Sequence, residues 1–296
     1  MIKLSPDTSS NSSRQIRFCI IIRGAGDLAT GVALSLYRAG YHCLILLETP
    51  TPMAVRRRVA LAEAVHLGRY IVEGLTAVRA HTIADLPLIW AAGELPLLVD
   101  PAGTTIAALN PAIVIDAILA KRNTGTTVAD APLVIGLGPG FRAGEDVHCV
   151  IETQRGSNLG LVITKGPAAA NTGIPSAING YTTERVLRAP LAGWFHTRRD
   201  IGHTVTTGGI VGRIVPETTE NTEVLVHATI DGVLHGLLRD ATFVSCGTKL
   251  GDVNPQADPS FCHLVSDKAL TVGAGVVSAV RERFPILKTH HMEAKI

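Results

Sequence analysis

Aromatic residues are scarce in this chain, since only 4% of its 296 residues are Phe, Trp or Tyr. The hydrophobic fraction is nevertheless 46% and the mean hydropathy is +0.29, so aliphatic side chains must fill the core. This composition excludes a disordered chain and is typical of α/β proteins, whose buried parallel strands are aliphatic runs. The length fits one large domain or two ordinary ones.

The chain also lacks long apolar runs, paired cysteine motifs and an excess of charge. No run approaches the roughly 18 apolar residues that span a bilayer, and the polar segment 1–13 lacks the apolar centre of a signal peptide. The five cysteines form no CxxC pair, which fits a reducing compartment. A net charge of +2 without a basic, aromatic-rich patch argues against nucleic acid. We therefore expect a cytoplasmic protein with neither nucleic-acid nor membrane partners.

Aliphatic runs and helical segments alternate through the first half of the chain. Strands are predicted at 16–22, 43–48, 95–100, 112–117, 133–138, 147–153 and 159–164, and helices at 32–40 and 53–68. Such alternation implies parallel pairing with right-handed crossovers. The sequence therefore predicts a disordered tail at 1–15, followed at 16–165 by a Rossmann-like doubly wound parallel sheet that forms a nucleotide-binding domain.

An internal repeat follows the glycine- and proline-rich linker predicted at 166–184. Shifting the chain by 39 positions places 186–214 over 225–253 without a gap, with Gly193 on Gly232 and Gly208 on Gly247. Each copy indicates short strands between glycine turns, resembling half of a barrel-sandwich hybrid from a biotinyl or lipoyl carrier. The segment 215–223 between the copies has no lysine, which argues against a swinging arm. We expect a small all-β barrel-sandwich-hybrid-like domain at 185–258, and in 259–296 a C-terminal helix that packs back on the first domain.

The motif G-x-G-x-x-A, formed by Gly24, Gly26 and Ala29, stands between a predicted strand and a predicted helix. In that context the glycines let a phosphate approach the N-terminus of the helix. Glu48 closes the next strand, where a ribose-binding acid belongs. Asp27 either competes with the phosphate or caps the helix. The alternative is a bare tight turn without a ligand.

Basic residues and a second glycine-rich loop extend the predicted binding site. Arg23, before the turn, and Arg57, in the triplet 56–58, could hold an oxyanion, although a solvated face is the alternative for the triplet. The loop at 136–140 could present consecutive N–H groups to an anion. The predicted cofactor-binding residues are Arg23, Gly24, Gly26, Asp27, Ala29, Glu48, Arg57, Gly138 and Gly140.

Four residues are candidates for catalysis. Asp116 and Lys121 follow a strand at the edge where sheet ligands bind. His148 and Glu152 are four apart in a strand-like run and would share a face, as acid–base partners do. The alternatives are surface charge pairs or a structural loop. Two ligands are too few to predict a metal site.

Many segments together resemble the selenium-dependent molybdenum hydroxylase accessory family, the YqeB family. They run in order from about residue 16 to 280 and include IRGAGDLATGVALSLYRAG, RRRVALAEAV, DAILAKRN, GLGPGFRAGEDVHCVIETQRG, NTGIP, DGVLHGLLRD and LGDVNP. The resemblance implies a Rossmann-like N-terminal region and a role in maturing such a hydroxylase. It supplies no catalytic residues. Cys149 stands where alanine is expected, and if reachable it could accept selenium or sulfur.

Three functions are carried forward from the sequence. The first is an accessory protein that binds a small phosphate-bearing ligand, either a nucleotide or molybdopterin dinucleotide. Its protein partners would be the apo-hydroxylase or other maturation factors. The second is an NAD(P)-dependent oxidoreductase, and the third is a non-enzymatic interaction scaffold. Whether the chain is an enzyme, and whether it forms a homo-oligomer, is left open.

Overall fold

The computed structural model describes residues 18–217 and 223–284. The predicted tail at 1–15 lies outside the described residues, as do residues from 285 onward. Within the described part, the helices are α1 (Asp27–Arg38), α2 (Ala64–Leu67), α3 (Leu86–Ala91), α4 (Thr104–Leu109) and α5 (Asp267–Arg283).

The strands fall into a first and a second domain. Those of the first domain are β1 (Ile20–Arg23), β2 (Leu44–Glu48), β3 (Arg69–Val72), β4 (Leu75–Ala80), β5 (Leu95–Val99), β6 (Ile113–Asp116), β7 (Leu133–Leu137), β8 (Arg142–Ala143), β9 (Cys149–Ile151), β10 (Val162–Ile163) and β11 (Gly166–Pro167). Those of the second are β12 (Val186–Arg188), β13 (Gly193–Thr197), β14 (Thr204–Val205), β15 (Ile210–Val215), β16 (Val224–His227), β17 (Gly232–Leu237), β18 (Thr242–Val244) and β19 (Lys249–Asn254).

One large sheet organises the first domain, with strand order β10-β9-β7-β6-β1-β2-β5-β4-β3. Its inner strands are parallel, whereas the β3–β4 and β9–β10 pairs at its two edges are antiparallel. The β3–β4 hairpin turns at Glu73 and Gly74, which both have positive φ, as a two-residue hairpin loop requires. The predicted Rossmann-like doubly wound parallel sheet is therefore wrong, because the sheet is mixed.

The seven predicted aliphatic strands are confirmed near their predicted positions, but the helix predicted at 53–68 is wrong. That segment forms two short 3-10 turns, Arg57–Val59 and Leu61–Glu63, before the four-residue helix α2. Ala60 between the turns is extended, with φ −119° and ψ 117°. The arginines here bond to the second domain, and these tertiary contacts override the local helical preference.

Helices α1 and α5 pack closely against each other over one face of the large sheet. A Cβ added at Gly31 of α1 would lie 2.6 Å from the Cβ of Ala269 in α5, so the contact needs glycine there. Helix α5 begins after Ser266, whose hydroxyl accepts a hydrogen bond from the Ala269 amide at 3.2 Å. The helix expected within 259–296 is thus present at Asp267–Arg283, and Ser266 caps it.

The second domain consists of two four-stranded sheets, ordered β12-β19-β17-β14 and β16-β15-β13-β18. Strands β13 and β15 of the first copy begin 39 positions before β17 and β19 of the second. Each sheet takes two strands from each copy, so the copies interlock around a shared core that includes Phe195 and Leu234.

Candidate functional site

A cleft of about 480 Å³ opens between the two domains. Its floor lies at the carboxyl ends of β1, β2, β5 and β6, where Gly26, Glu48 and Asp100 line it. Strand β19 of the second domain contributes Lys249 and Asp252 to the opposite wall. The carboxyl edge of a parallel sheet is the usual place for a ligand, and the volume suits a small organic molecule.

The glycine turn between β1 and α1 forms part of the cleft floor. Gly24 has φ +97°, and a Cβ there would lie 3.0 Å from the Ala117 carbonyl oxygen. Gly26 has φ −65° and would meet nothing within 4 Å. No side chain of the described residues caps α1 at Gly26, and Asp27 and Ala29 also line the cleft. The N-terminus of α1 therefore opens onto the cleft.

Glu48, predicted to bind a ribose, braces the glycine turn. One carboxylate oxygen accepts a hydrogen bond from the Ala25 amide at 2.8 Å, and the other accepts one from the Thr49 amide at 2.8 Å. Asp100 likewise caps α4 by accepting from the Thr104 and Thr105 amides. Both carboxylates hold the floor in place.

Arg23 is tied into a buried network beneath the floor. Arg23 and Asp116 are register partners at the ends of the neighbouring strands β1 and β6, and their side chains lie 3.3 Å apart. The Thr126 hydroxyl accepts from Arg23 and donates to Asp116 at 2.6 Å. Because these groups are buried and bonded to each other, the charge of Arg23 is largely compensated, and Asp116 serves Arg23 rather than a substrate.

The arginine triplet points in different directions, and the member that lines the cleft is Arg56. Its NH1 lies 3.6 Å from Asp27, and its NH2 donates to the Leu264 carbonyl at 2.9 Å. The buried Nε has no hydrogen-bond partner among the described residues. Arg57, the predicted ligand residue, instead donates to the Leu237 carbonyl and pairs with Asp200 at 2.9 Å.

Two groups that the sequence reasoning missed form the opposite wall of the cleft. Lys249 Nζ lies 2.5 Å from Asp252 Oδ2, while Oδ1 is buried without a hydrogen-bond partner among the described residues. His235 Nδ1 lies 3.5 Å from this oxygen. Burial acts to raise the pKa of Asp252, but His235 and Lys249 outweigh it and hold that pKa well below its usual value. Asp252 is therefore ionised at neutral pH.

A signal for these two residues exists in the repeat. With the 39-residue offset, Lys249 falls on Ile210 and Asp252 on Arg213. Both positions thus change chemical character between copies whose glycines coincide. A polar pair that only one copy carries marks a position that the shared fold does not require.

The glycines of the second predicted loop lie outside the cleft. Gly138 and Gly140 both have positive φ, and a Cβ at Gly140 would lie 2.7 Å from the backbone nitrogen of Arg122. A Cβ at Gly138 would clash with the Thr153 side chain. These glycines let three chain segments pack together, and the structure does not bring them to the α1 turn.

The remaining catalytic candidates do not assemble into a site. His148 precedes β9, is exposed and accepts a hydrogen bond from the Val134 amide at 3.0 Å. Glu152 follows β9, is buried and accepts from three backbone amides. The strand between them has only three residues, so they are not face-sharing partners. Lys121 is exposed and has φ +63°. The pKa of Lys268 is lowered, first by the burial of Lys268 itself and then by the charge of Lys121.

Cys149 is buried in β9, and burial, followed by the charge of Glu282, raises the pKa of its thiol to about 11. A thiol in this state is a poor nucleophile. Across residues 18–217 and 223–284, no three His, Cys, Asp or Glu side chains form a group that could hold a metal ion. Over the same ranges, no helix has the length and apolarity that a membrane crossing demands.

Comparison with solved structures gives weak similarities to desuccinylase and aspartoacylase proteins. A succinylglutamatedesuccinylase/aspartoacylase from Rhodobacter sphaeroides is 21% identical over 31% of this chain and 30% of its own, with a TM-score of 0.24. An aspartoacylase family protein from Mesorhizobium loti is 12% identical over 81% of this chain and 86% of its own, with a TM-score of 0.28. At these TM-scores the similarity carries no conclusion about activity.

These findings correct two predictions. The large sheet is mixed, and none of the comparisons shows a Rossmann-like sheet with a barrel-sandwich-hybrid-like domain, so that predicted fold is contradicted. Nothing in the comparisons supports selenium, molybdopterin or maturation of a molybdenum hydroxylase, and that predicted function is contradicted as well. The comparisons likewise give no support to the alternatives of an NAD(P)-dependent oxidoreductase or a non-enzymatic interaction scaffold.

No family model matches the chain. Comparison with curated proteins finds the uncharacterized protein YqeB of Escherichia coli (strain K12), 44% identical over 261 residues. The match covers 88% of this chain and 47% of the relative, so the chain spans about half the length of the curated relative it matches. This similarity over most of the chain supports its resemblance to the YqeB family.

Proposed function

We propose that the protein binds a small acidic organic molecule in the cleft between its two domains, with the acidic group at the N-terminus of α1. The observation that carries this proposal is the uncapped end of a 12-residue helix that opens, at Gly26, onto empty space in the cleft. The first N–H groups of a helix and its dipole attract an anion.

The predicted binding residues Gly24, Gly26 and Ala29 fit this proposal, whereas the Asp27 carboxylate would repel an anion and instead lies 3.6 Å from Arg56. Arg56 replaces Arg57 as the basic residue of the site. Arg56 lines the same cleft, and its Nε is a buried donor without a partner among the described residues. A buried N–H of this kind costs free energy until an acceptor reaches it. An acidic oxygen at the α1 terminus would be such an acceptor.

Charge in the cleft limits how acidic the ligand can be. The carboxylates that line it are Asp27, Glu48, Asp100 and Asp252, and the cations are Arg23, Arg56 and Lys249. Because Asp116 compensates Arg23, the carboxylates outnumber the remaining cations, and this excess of negative charge favours a ligand with one acidic group, a carboxylate or a phosphate monoester, over one with several. The rest of the ligand would then face carboxylate acceptors.

The test is calorimetric titration with three probes: inorganic phosphate, glycerol 3-phosphate and glycerate. The first two probe a phosphate and the third a carboxylate. We expect at least one probe to bind with a dissociation constant of about 1 mM or tighter. Gly26→Val should weaken that binding at least tenfold, because the added side chain stands in the open space above the helix terminus while the fold accepts it.

A matched control separates the cleft from general effects of charge. Arg56→Gln should weaken binding, whereas Arg38→Gln should not, because Arg38 forms an exposed pair with Glu73 at 2.9 Å and does not line the cleft. Absence of binding for all three probes would refute the proposal, and so would equal affinities in the wild type and in Gly26→Val.

A further inference from the structure

Asp252 is the most unusual polar group of the cleft wall. Asp252 is 4% exposed and lines the cleft, and its Oδ1 has no hydrogen-bond partner among the described residues. Buried acceptors in folded proteins are almost always paired, and leaving a charged one without a donor is especially costly. His235 Nδ1 faces this oxygen at 3.5 Å without hydrogen-bond geometry, so Oδ1 keeps an acceptor position that a donor from a ligand can fill.

The neighbours of Asp252 determine what kind of donor fits. Its other oxygen is occupied by Lys249 Nζ at 2.5 Å, and the Lys249 ammonium has two further donors. The wall therefore presents an acceptor and a donor side by side. A hydroxyl group satisfies both, because it can donate to Asp252 and accept from Lys249. An amine cation would satisfy Asp252 but would meet the positive charge of Lys249.

The internal repeat shows that the strands do not need this pair. Strand β15 of the first copy has Ile210 and Arg213 where β19 has Lys249 and Asp252, and both strands form in four-stranded sheets of matching order. Pairing of the strands therefore does not account for Lys249 and Asp252. Their position in the cleft does.

We infer that the second domain is the part of the protein that recognises a hydroxyl group of the ligand, which it binds between Asp252 Oδ1 and Lys249 Nζ opposite the α1 turn. The inference rests on the proposed function and sharpens it to a ligand class. That class is a hydroxylated small acid, with its acidic end at α1 and a hydroxyl at β19.

The experiment compares glycerol 3-phosphate with n-propyl phosphate, which has the same acidic group and no hydroxyl. The full-length wild type should bind glycerol 3-phosphate at least tenfold more tightly, because a site built to hydrogen-bond a hydroxyl rejects the analogue that lacks it. Asp252→Ala should bring the ratio of the two affinities close to one. Asp240→Ala is the control. Asp240 contacts His196 of the first copy, so this substitution should leave the ratio unchanged.

The outcomes separate the two proposals. If the wild type binds neither phosphate ester, the proposed function fails. If it binds both equally, the acidic site stands and the hydroxyl inference is overturned, whether or not any variant folds. Tighter binding of 3-aminopropyl phosphate than of glycerol 3-phosphate would also overturn it, in favour of a cationic group. Asp252→Leu, which removes the acceptor and fills the buried space, replaces Asp252→Ala if the latter has lost its cooperative thermal transition.

Discussion

Two glycine-rich turns follow parallel strands of the same sheet, and they serve different purposes. The turn after β1 places Gly26 at open space in the cleft, where an added Cβ would meet nothing within 4 Å. The turn after β7 places Gly140 against the backbone of Arg122, at 2.7 Å from an added Cβ. The first leaves room for a ligand, and the second lets chain segments pack together.

The comparison shows that a glycine pattern predicts the close approach of another group to the backbone. It does not say whether that group is a ligand or another segment of the chain. Both turns contain positive-φ glycines, Gly24 in the first and Gly138 and Gly140 in the second. Only the neighbours distinguish a glycine that admits another molecule from one that admits the protein's own backbone. Substitutions at the two turns should therefore affect different quantities.

The largest effect should come from the buried pair beneath the first turn. Asp116→Ala should lower the free energy of unfolding by about 3–5 kcal/mol, because it leaves the guanidinium of Arg23 buried without its partner. Urea denaturation measures this. The exposed Arg142–Glu145 pair beside the second turn is the control, and Glu145→Ala should cost about 0.5 kcal/mol or less. Similar losses in both variants would contradict the buried role of Asp116.

The second turn should lose stability when its glycine acquires a side chain. Gly140→Ala should lower the free energy of unfolding by about 3 kcal/mol, since φ is +113° and the methyl group meets the Arg122 backbone. Thermal or urea unfolding followed by circular dichroism measures this. A loss below about 1 kcal/mol would show that the turn can relax, and would weaken the distinction between the two turns.

The first turn should respond to the same substitution mainly in ligand binding. Gly26→Ala should cost about 1 kcal/mol of stability or less, the difference between glycine and alanine at a helix N-cap. It should still weaken the binding of the tightest probe, because its methyl group projects into the cleft. Stability and affinity measured on the same preparation test this, and a large stability loss without a change in affinity would make this turn structural as well.

The smallest effect concerns Arg155, which follows the second turn and forms a bidentate pair with Asp267 at 2.8 Å. The hydrogen bonds from Arg155 lower the pKa of Asp267 to about 2. A carboxyl whose pKa is depressed on folding stabilises the protein above its unfolded pKa, near 4, and this stabilisation is lost as pH falls from about 4 to 2. The side chains are 41% and 74% exposed, so Asp267→Asn should cost well under 1 kcal/mol at pH 7.

Urea unfolding of the wild type and Asp267→Asn at pH 7 and at pH 2 measures this difference. It should be present at pH 7 and mostly lost at pH 2, where about half of the Asp267 side chains are protonated. A difference that persists undiminished at pH 2 would mean that the pair with Arg155 is not its source.

The sequence predicts local structure well where side-chain pattern and chain geometry coincide. The aliphatic strands and the C-terminal helix α5 could be read directly, because their side-chain patterns repeat among residues close in sequence. The β3–β4 hairpin and the 3-10 turns at Arg57 could not. The 3-10 turns depend on contacts such as the bond from Arg57 to Leu237, 180 positions away.

The candidate site shows the same limit. The glycine turn could be placed from its motif, but the choice of Arg56 over Arg57 depends on how the chain enters the 3-10 turn, because Arg56 precedes that turn with φ −85° and ψ 61°. Lys249 and Asp252 reach the cleft only because the second domain docks over the first. His148 and Glu152 share a face only in an extended strand longer than the three residues of β9.

The most direct test of the central claim follows the backbone amides of both turns by NMR while glycerol 3-phosphate is added. The account predicts saturable chemical-shift changes at the amides of Gly26, Asp27 and Leu28, with the amides of Gly138 and Gly140 unchanged. Saturable changes at Gly138 and Gly140 with none at the α1 turn, or no saturable change at either turn, would contradict it.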